Sequence, residues 1–290
     1  DDPGDKAVLQ HDNLPCRRKE MMFLLGLSPL LSQRRRNLIY VYCVVPDQFE
    51  IRLESGFGFG PFDMVTFKDI AAVVSTVPSS EFNQNRINEK TKDVPWLANA
   101  ASTHERVVEK VMEGETPIPM KLCTIFKSKA SLIRMLKDNY AEFRLSLRKI
   151  EGKIELGVTA YLDLENSSAS ATREIKALKK KIQRSTPGSA YFLEQELDEL
   201  ISIEARNKAN SFAKKIFNEM KKGSDGSVSN PLLAQNNFQG MILNASLLIE
   251  KKKLDEFRER FQMLRETCSK CGEITLKLTG PWPPYNFSSK

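Results

Sequence analysis

The sequence predicts an α+β protein of two domains, and three observations carry that reading. Two runs of β-branched and aromatic residues, Leu38–Val45 and Ile70–Val77, each end on a proline. Apolar residues recur three and four positions apart in long later stretches, as helix faces require. Glu151-Gly152 then interrupts the chain just before a strictly alternating strand. At roughly 100–200 residues per domain, 290 residues make two domains the default.

Leu38–Val45 (LIYVYCVV) is apolar throughout, as a strand covered on both faces must be, and Pro46 closes it. Glu54–Pro61 (ESGFGFGP) is a turn-rich loop followed by residues of extended character. Ile70–Val77 is a second buried strand, closed by Pro78. After a polar stretch, Val94–Met112 is a helix whose Leu97, Ala100, Val107, Val108 and Val111 share one face. Pro117 and Pro119 exclude a helix from Pro117–Phe126, which reads as extended. Ser128 caps a helix running through Leu132, Leu136, Tyr140, Phe143, Leu147 and Ile150.

In the second half, Ile154, Leu156, Val158, Ala160 and Leu162 point one way, while Lys153, Glu155, Thr159, Tyr161 and Asp163 point the other. A basic helix over 173–184 carries Ile175, Leu178 and Ile182 on one face and breaks at Pro187-Gly188. A long helix, Ala190–Lys222, carries a stripe of Leu193, Leu197, Leu200, Ala205, Ala209, Phe212, Ile216 and Met220. A loop and a short strand near Val228–Gln235 lead to an alternating strand, Met241–Ile249. The helix 254–270 and a last strand with Ile274, Leu276 and Leu278 complete a βα(α)ββαβ order, which is ferredoxin-like with an inserted helix.

Composition removes several classes. Forty-four basic against 37 acidic residues leave +7, a modest surplus on a mixed surface. Fourteen Gly and five Cys exclude collagen-like and disulfide-stapled folds, and two His argue against a His-rich metal enzyme. The run Met21–Leu31 has eleven apolar-rich residues between basic triplets, short of the ~20 that span a bilayer. Arginines follow it where a signal peptide would place small residues. Residues 1–37 therefore read as an extension, poorly ordered or docked on the body, of a soluble protein. Cys268 continues the stripe Leu254, Phe257, Phe261, Leu264, and Cys271 precedes Gly272, so this pair reads as core and helix end, not as half a zinc site. Cysteine usage points to a reducing, cytoplasmic setting.

No stretch carries recognisable catalytic chemistry. Gly56, Gly58 and Gly60 lack the third glycine and following helix of a phosphate loop, so they read as a hairpin loop. His104 falls on the apolar face of its helix and reads as a packed histidine; a thiol or hydrolytic enzyme would need Cys123 beside it as nucleophile. The basic helix 173–184 and the ferredoxin-like order raise a nucleic-acid-binding module as the alternative. The strands GMILNASLLIE and EITLKLTG, however, hold no aromatic on which a base could stack. The most distinctive stretch is Thr279-Gly280-Pro281-Trp282-Pro283-Pro284-Tyr285-Asn286-Phe287. Its prolines deny it a helix or a regular ladder, and Trp282, Tyr285 and Phe287 suit either a clamp on the core or a contact with a partner.

The chain resembles the gas vesicle protein F/L family (GvpF/GvpL). The resemblance rests on Ile39–Pro46 (IYVYCVVP), Asp69–Val77 (DIAAVVSTV), His104-Glu105-Arg106-Val107-Val108, Ile118-Pro119-Met120, Thr124-Ile125-Phe126-Lys127-Ser128, Gly152-Lys153-Ile154-Glu155 and, above all, Thr279–Phe287 (TGPWPPYNF). It covers about residues 38–288. The family has Phe-Gly before the Thr-x-Phe, where this chain has Leu122-Cys123.

The resemblance implies three segments: the extension 1–37, an unusual α+β N-terminal domain over 38–151, and a modified ferredoxin-like domain over 152–290 that ends in the GPWPPYNF segment. It implies a non-enzymatic accessory or minor structural protein of vesicle assembly, cytoplasmic and vesicle-associated. Its partners would be the hydrophobic major shell protein (GvpA-type), whose aggregation it limits during nucleation, and other accessory gas vesicle proteins. It implies no cofactor, metal or catalytic residue, and no nucleic-acid or lipid-membrane partner. The candidate partner contacts are Trp282, Pro283, Pro284, Tyr285 and Phe287.

Overall fold

The computed structural model describes residues 37–50, 58–163, 172–232, 240–270 and 272–288. The leader through residue 36, with Cys16 and the apolar run Met21–Leu31, lies outside the described residues, as do Gly56, Cys271 and the 233–235 end of the short strand expected near Val228–Gln235. The chain divides into two units, one ending at Leu147 and the other beginning at Arg148.

In the first unit, strand β1 (Asn37–Pro46) is central, and Ile39 through Val45 are all buried, as a run without polar alternation requires. It pairs antiparallel with β3 (Ile70–Pro78), which pairs with β2 (Phe62–Phe67). On its other side β1 meets two short extended pieces, β4 (Ile118–Pro119) and β5 (Ile125–Phe126). The register of β1 slips between Val41 and Cys43. Such a bulge resets the alternation of faces. Tyr40 before it, Tyr42 within it, and Cys43 and Val45 after it therefore all join one cluster with Val107, Val108 and Val111. Those valines lie on α3 (Val94–Gly114).

The polar stretch after β3 holds two short helices, α1 (Ser79–Phe82) and α2 (Gln84–Lys90). Each has one buried apolar residue, Phe82 or Ile87, too few to show a periodicity. Asn83 starts α2 by accepting a hydrogen bond from the Arg86 N–H (3.1 Å). The helix expected from Ser128 to Ile150 is two helices, α4 (Lys129–Asp138) and α5 (Tyr140–Ile150). Ser128 caps α4 in a reciprocal box with Ser131. At the break, the Asn139 side chain donates to the Met135 carbonyl (2.8 Å), competing with the helix ladder. Tyr140 then donates from its hydroxyl to Asp69 in the β2–β3 turn (2.7 Å), and Arg144 pairs with the same carboxylate.

The second unit is an antiparallel sheet in the order β7-β8-β6-β9, the ferredoxin-like arrangement. Its strands are β6 (Lys153–Leu162), β7 (Gly226–Ser229), β8 (Met241–Glu250) and β9 (Ile274–Trp282). The short strand thus forms earlier than the expected Val228–Gln235. Helices α6 (Arg173–Ile182) and α7 (Pro187–Lys221) connect β6 to β7, and α8 (Leu254–Lys270) connects β8 to β9. Pro187 starts α7 at a first-turn position, where its missing N–H costs nothing.

Of the long apolar stripe, Ile216 and Met220 are buried, and Leu193 through Phe212 are half-covered. Length explains the difference. Thirty-five helical residues extend about 50 Å, against about 33 Å for the ten residues of β8, so much of α7 outruns the sheet and packs on α6 instead.

Cys123 lies at φ +63°, where a Cβ is strained and glycine is not. The glycine that the resemblance leads one to expect at this position would sit there without strain. Cys123→Gly is expected to stay within about 1 kcal/mol of the parent, because relief of strain offsets the added chain entropy. Cys123→Val should lose about 2 kcal/mol, since a β-branched side chain tolerates that region least. Urea unfolding midpoints check both.

Candidate interaction surfaces and buried anchors

Each unit uses a buried polar side chain of its central strand to hold a proline-containing segment. In the first unit the group is Tyr40. The Cys123 N–H donates to its hydroxyl (3.1 Å), which lies 2.9 Å from His104 Nδ1. His104 Nε2 lies 3.0 Å from the Met120 carbonyl. A carbonyl can only accept, so Nε2 carries the proton and Nδ1 accepts from the Tyr40 hydroxyl. The chain Cys123 N–H to Tyr40 to His104 to Met120 thereby fixes residues 120–123 against β1 and α3.

Tyr42 anchors a second loop. Its hydroxyl accepts from the Phe59 N–H (2.8 Å) and donates to Ser75 Oγ (3.1 Å), which donates to the Gly60 carbonyl (2.9 Å). A Cβ on Gly58 would fall 2.6 Å from the Tyr42 hydroxyl, and one on Gly60 2.4 Å from the Thr76 carbonyl. These glycines allow close approach to the sheet, in keeping with a structural loop.

The electrostatics leave no activated nucleophile here. Burial raises the Tyr40 and Tyr42 hydroxyls and the Cys43 and Cys123 thiols, so all four stay protonated at neutral pH. Burial also lowers His104 to about 4, which keeps it neutral with both ring nitrogens engaged. The packed-histidine reading of the sequence is the one the geometry matches. Among the described residues, no group of three His, Cys, Asp or Glu could hold a metal, and no helix is long and apolar enough to cross a membrane.

In the second unit the anchor is Glu155. The alternation of β6 places it outward with Lys153, yet it is only 5% exposed. The C-terminal segment covers that face. Asn286 donates to Glu155 through its backbone N–H (2.9 Å) and its side-chain Nδ2 (2.6 Å). Asn286 Nδ2 also donates to Ser246 Oγ (3.0 Å), which receives Asn230 Nδ2 as well (3.0 Å). The sequence reading missed this cluster, because its members lie up to 131 residues apart. The available signal was that Glu155 and Asn286 both fall in stretches that carry the family resemblance.

The expectation that residues 279–287 form no ladder and no helix is corrected on both counts. β9 continues to Trp282, which pairs with Glu155 after a register shift opposite Gly157. Gly280, at φ +102°, makes the bend: a Cβ there would lie 2.9 Å from the Glu155 carbonyl. Past Pro283-Pro284, the one-turn helix α9 (Tyr285–Ser288) places Asn286 under Glu155.

The five candidate contact residues separate by burial. Pro283, Pro284 and Phe287 are buried, Tyr285 is half-covered, and Trp282 is 38% exposed. Phe287 packs toward Gly226, and Lys149 Nζ donates to its carbonyl (3.3 Å). The other large exposed apolar groups of this unit include Tyr191, Phe192 and Ile203 on α7. The open side of the sheet bears one aromatic on β6, Tyr161, and Lys277 sits 5.0 Å from its ring centre, which leaves no platform for stacking bases.

A sequence profile described as gas vesicle synthesis protein GvpL/GvpF matches residues 38–289. Gas vesicle protein L of Streptomyces sp. strain CB03234 is 28% identical over 257 residues, covering 87% of this chain and 92% of that protein. Gas vesicle protein F1 of Halobacterium salinarum is 25% identical, covering 86% and 92%. The crystal structure of GvpF from Anabaena sp. PCC7120 superposes with a TM-score of 0.70 at 18% identity, covering 88% of this chain and 99% of that one.

Two outcomes follow from the anchors. The unfolded chain takes up a proton on His104 near 6.5 and the folded chain not until about 4, so stability should fall as pH drops through that window, by up to roughly 3 kcal/mol. His104→Gln should flatten this dependence in denaturant titrations between pH 7 and 4. Asn286→Ala should cost about 1–3 kcal/mol by leaving Glu155 underbonded, and should expose the C-terminus to limited proteolysis.

Proposed function

Because the chain belongs to the gas vesicle synthesis protein GvpL/GvpF family, we propose that it is a non-enzymatic accessory protein of vesicle assembly that holds the hydrophobic major shell protein and limits its aggregation during nucleation. The family match across residues 38–289 carries this reading. Its remaining partners would be other accessory gas vesicle proteins, and it would work in the cytoplasm and on the growing vesicle.

The chemistry required is modest. Shell subunits expose apolar faces that self-associate, and a protein that covers them needs accessible apolar groups on a surface that stays in water. Trp282 is our first candidate contact, with the exposed edge of Tyr285 beside it. Pro283, Pro284 and Phe287 would serve by holding those two in place. The six cations of the 173–184 stretch, Arg173, Lys176, Lys179, Lys180, Lys181 and Arg184, would keep the complex dispersed.

Co-expression with the major shell protein tests the reading: the two should co-purify, and more shell protein should remain in the supernatant than when it is expressed alone. Trp282→Ala should lower the co-purified amount several-fold with an unchanged melting temperature. Truncation after Leu278 should instead destabilise the second unit, because it uncovers Glu155 and Phe287's packing surface. Equal shell-protein aggregation with and without this chain would remove the proposal.

A further inference from the structure

The sheet of the second unit ends on β9, which pairs with β6 on one side and, among the described residues, with no strand on the other. Thr275, Lys277 and Thr279 are exposed along it. Open edges are normally blunted by prolines, bulges or a cover. Here Gly280-Pro281 comes only after Thr279, and Lys277 is the one charged residue within 275–279, so this stretch keeps a row of backbone groups facing away from β6 on an edge whose single charge favours an acidic neighbour.

A groove of about 470 Å³ runs beside this edge, between β9 and α8. Arg258, Gln262 and Arg265 of α8 line it, spaced four and three apart on one helix face, with Leu276 and Leu278 beneath them. Its lining includes no carboxylate. Arg258 has a long, exposed contact with Asp255 (3.5 Å), and Gln262 donates to Glu266 (2.8 Å). Arg265 has no ion-pair partner among the described residues. On the other face of the strand, Lys277 supplies a third cation.

We propose that the β9 edge accepts an extended acidic segment of another protein as a fifth strand. Its backbone would continue the ladder along residues 275–279. Side chains of a strand alternate between faces, so acidic residues at every second position would all meet Arg258 and Arg265 on the groove side, with the residues between them on the Lys277 side. Charge argues against a second copy of this chain as the occupant, because two β9 edges paired about a two-fold axis bring these cations toward their own images. A nucleic-acid strand would satisfy the cations but not the row of amides. A chain that bound no shell protein could still accept such a strand, so this inference and the proposed function fail separately.

The test uses the full chain and a fluorescein-labelled octapeptide of alternating valine and glutamate. Fluorescence anisotropy should show binding at least tenfold tighter than for a valine–lysine octapeptide. The double variant Arg258→Glu, Arg265→Glu should weaken it at least tenfold without changing the melting temperature. Hydrogen exchange should slow at amides within Thr275–Thr279 on peptide addition and stay unchanged at Gly226–Ser229, the other edge of the sheet. Equal binding of both peptides, tighter binding of a single-stranded oligonucleotide, a concentration-dependent dimer in the absence of peptide, or no added protection in β9 would each overturn the proposal.

Discussion

A buried backbone amide must find a partner, and a segment broken by prolines cannot find it in a regular ladder. Both units meet this constraint in the same way. The central strand carries a polar side chain into the interior and uses it to seat the irregular segment. In the first unit, Tyr40 and His104 seat residues 120–123. In the second, Glu155 seats Asn286 and the turn around it. The cost of burying these groups is offset because each of their polar side-chain atoms has a hydrogen-bond partner. Loss of one partner would leave a charge or dipole stranded in an apolar surround.

This arrangement bears on function by deciding what is left outside. His104 is neutral with both ring nitrogens engaged, and Cys123 within the seated segment keeps its proton. The aromatic C-terminal segment spends most of its apolar surface on the protein's own core, leaving Trp282 as its exposed part. Among the described residues, the accessible features include the exposed aromatics of a long helix, Trp282 and the β9 edge. Such features suit contact with other proteins, and they agree with membership of the gas vesicle synthesis protein GvpL/GvpF family.

The parts of the fold legible in the sequence were those whose signal is local. β1 and β3 announce themselves because both faces are covered, leaving no room for polar alternation. Ser128 marks the start of α4, and the stripe Leu254, Phe257, Phe261 marks α8. Helices α1 and α2 were illegible because each buries a single apolar residue. The break at Asn139 was hidden inside a continuous apolar stripe, and its cause includes a hydrogen bond from Tyr140 to Asp69, 71 residues away. Family resemblance supplied what periodicity could not, an expectation about the class of partner.

By itself, then, the sequence determined the strands and helices that carry a local apolar period, the βα(α)ββαβ order of the second half and the absence of a local catalytic motif. It did so because burial imposes periods of 2 and 3.6 on neighbouring residues. Tertiary structure alone decided that Glu155 is interior, that the GPWPPYNF stretch closes on it, that Cys123 occupies a glycine's conformation and that α7 outruns its sheet. Each of those depends on groups brought together from distant parts of the chain, and no local period encodes such a meeting.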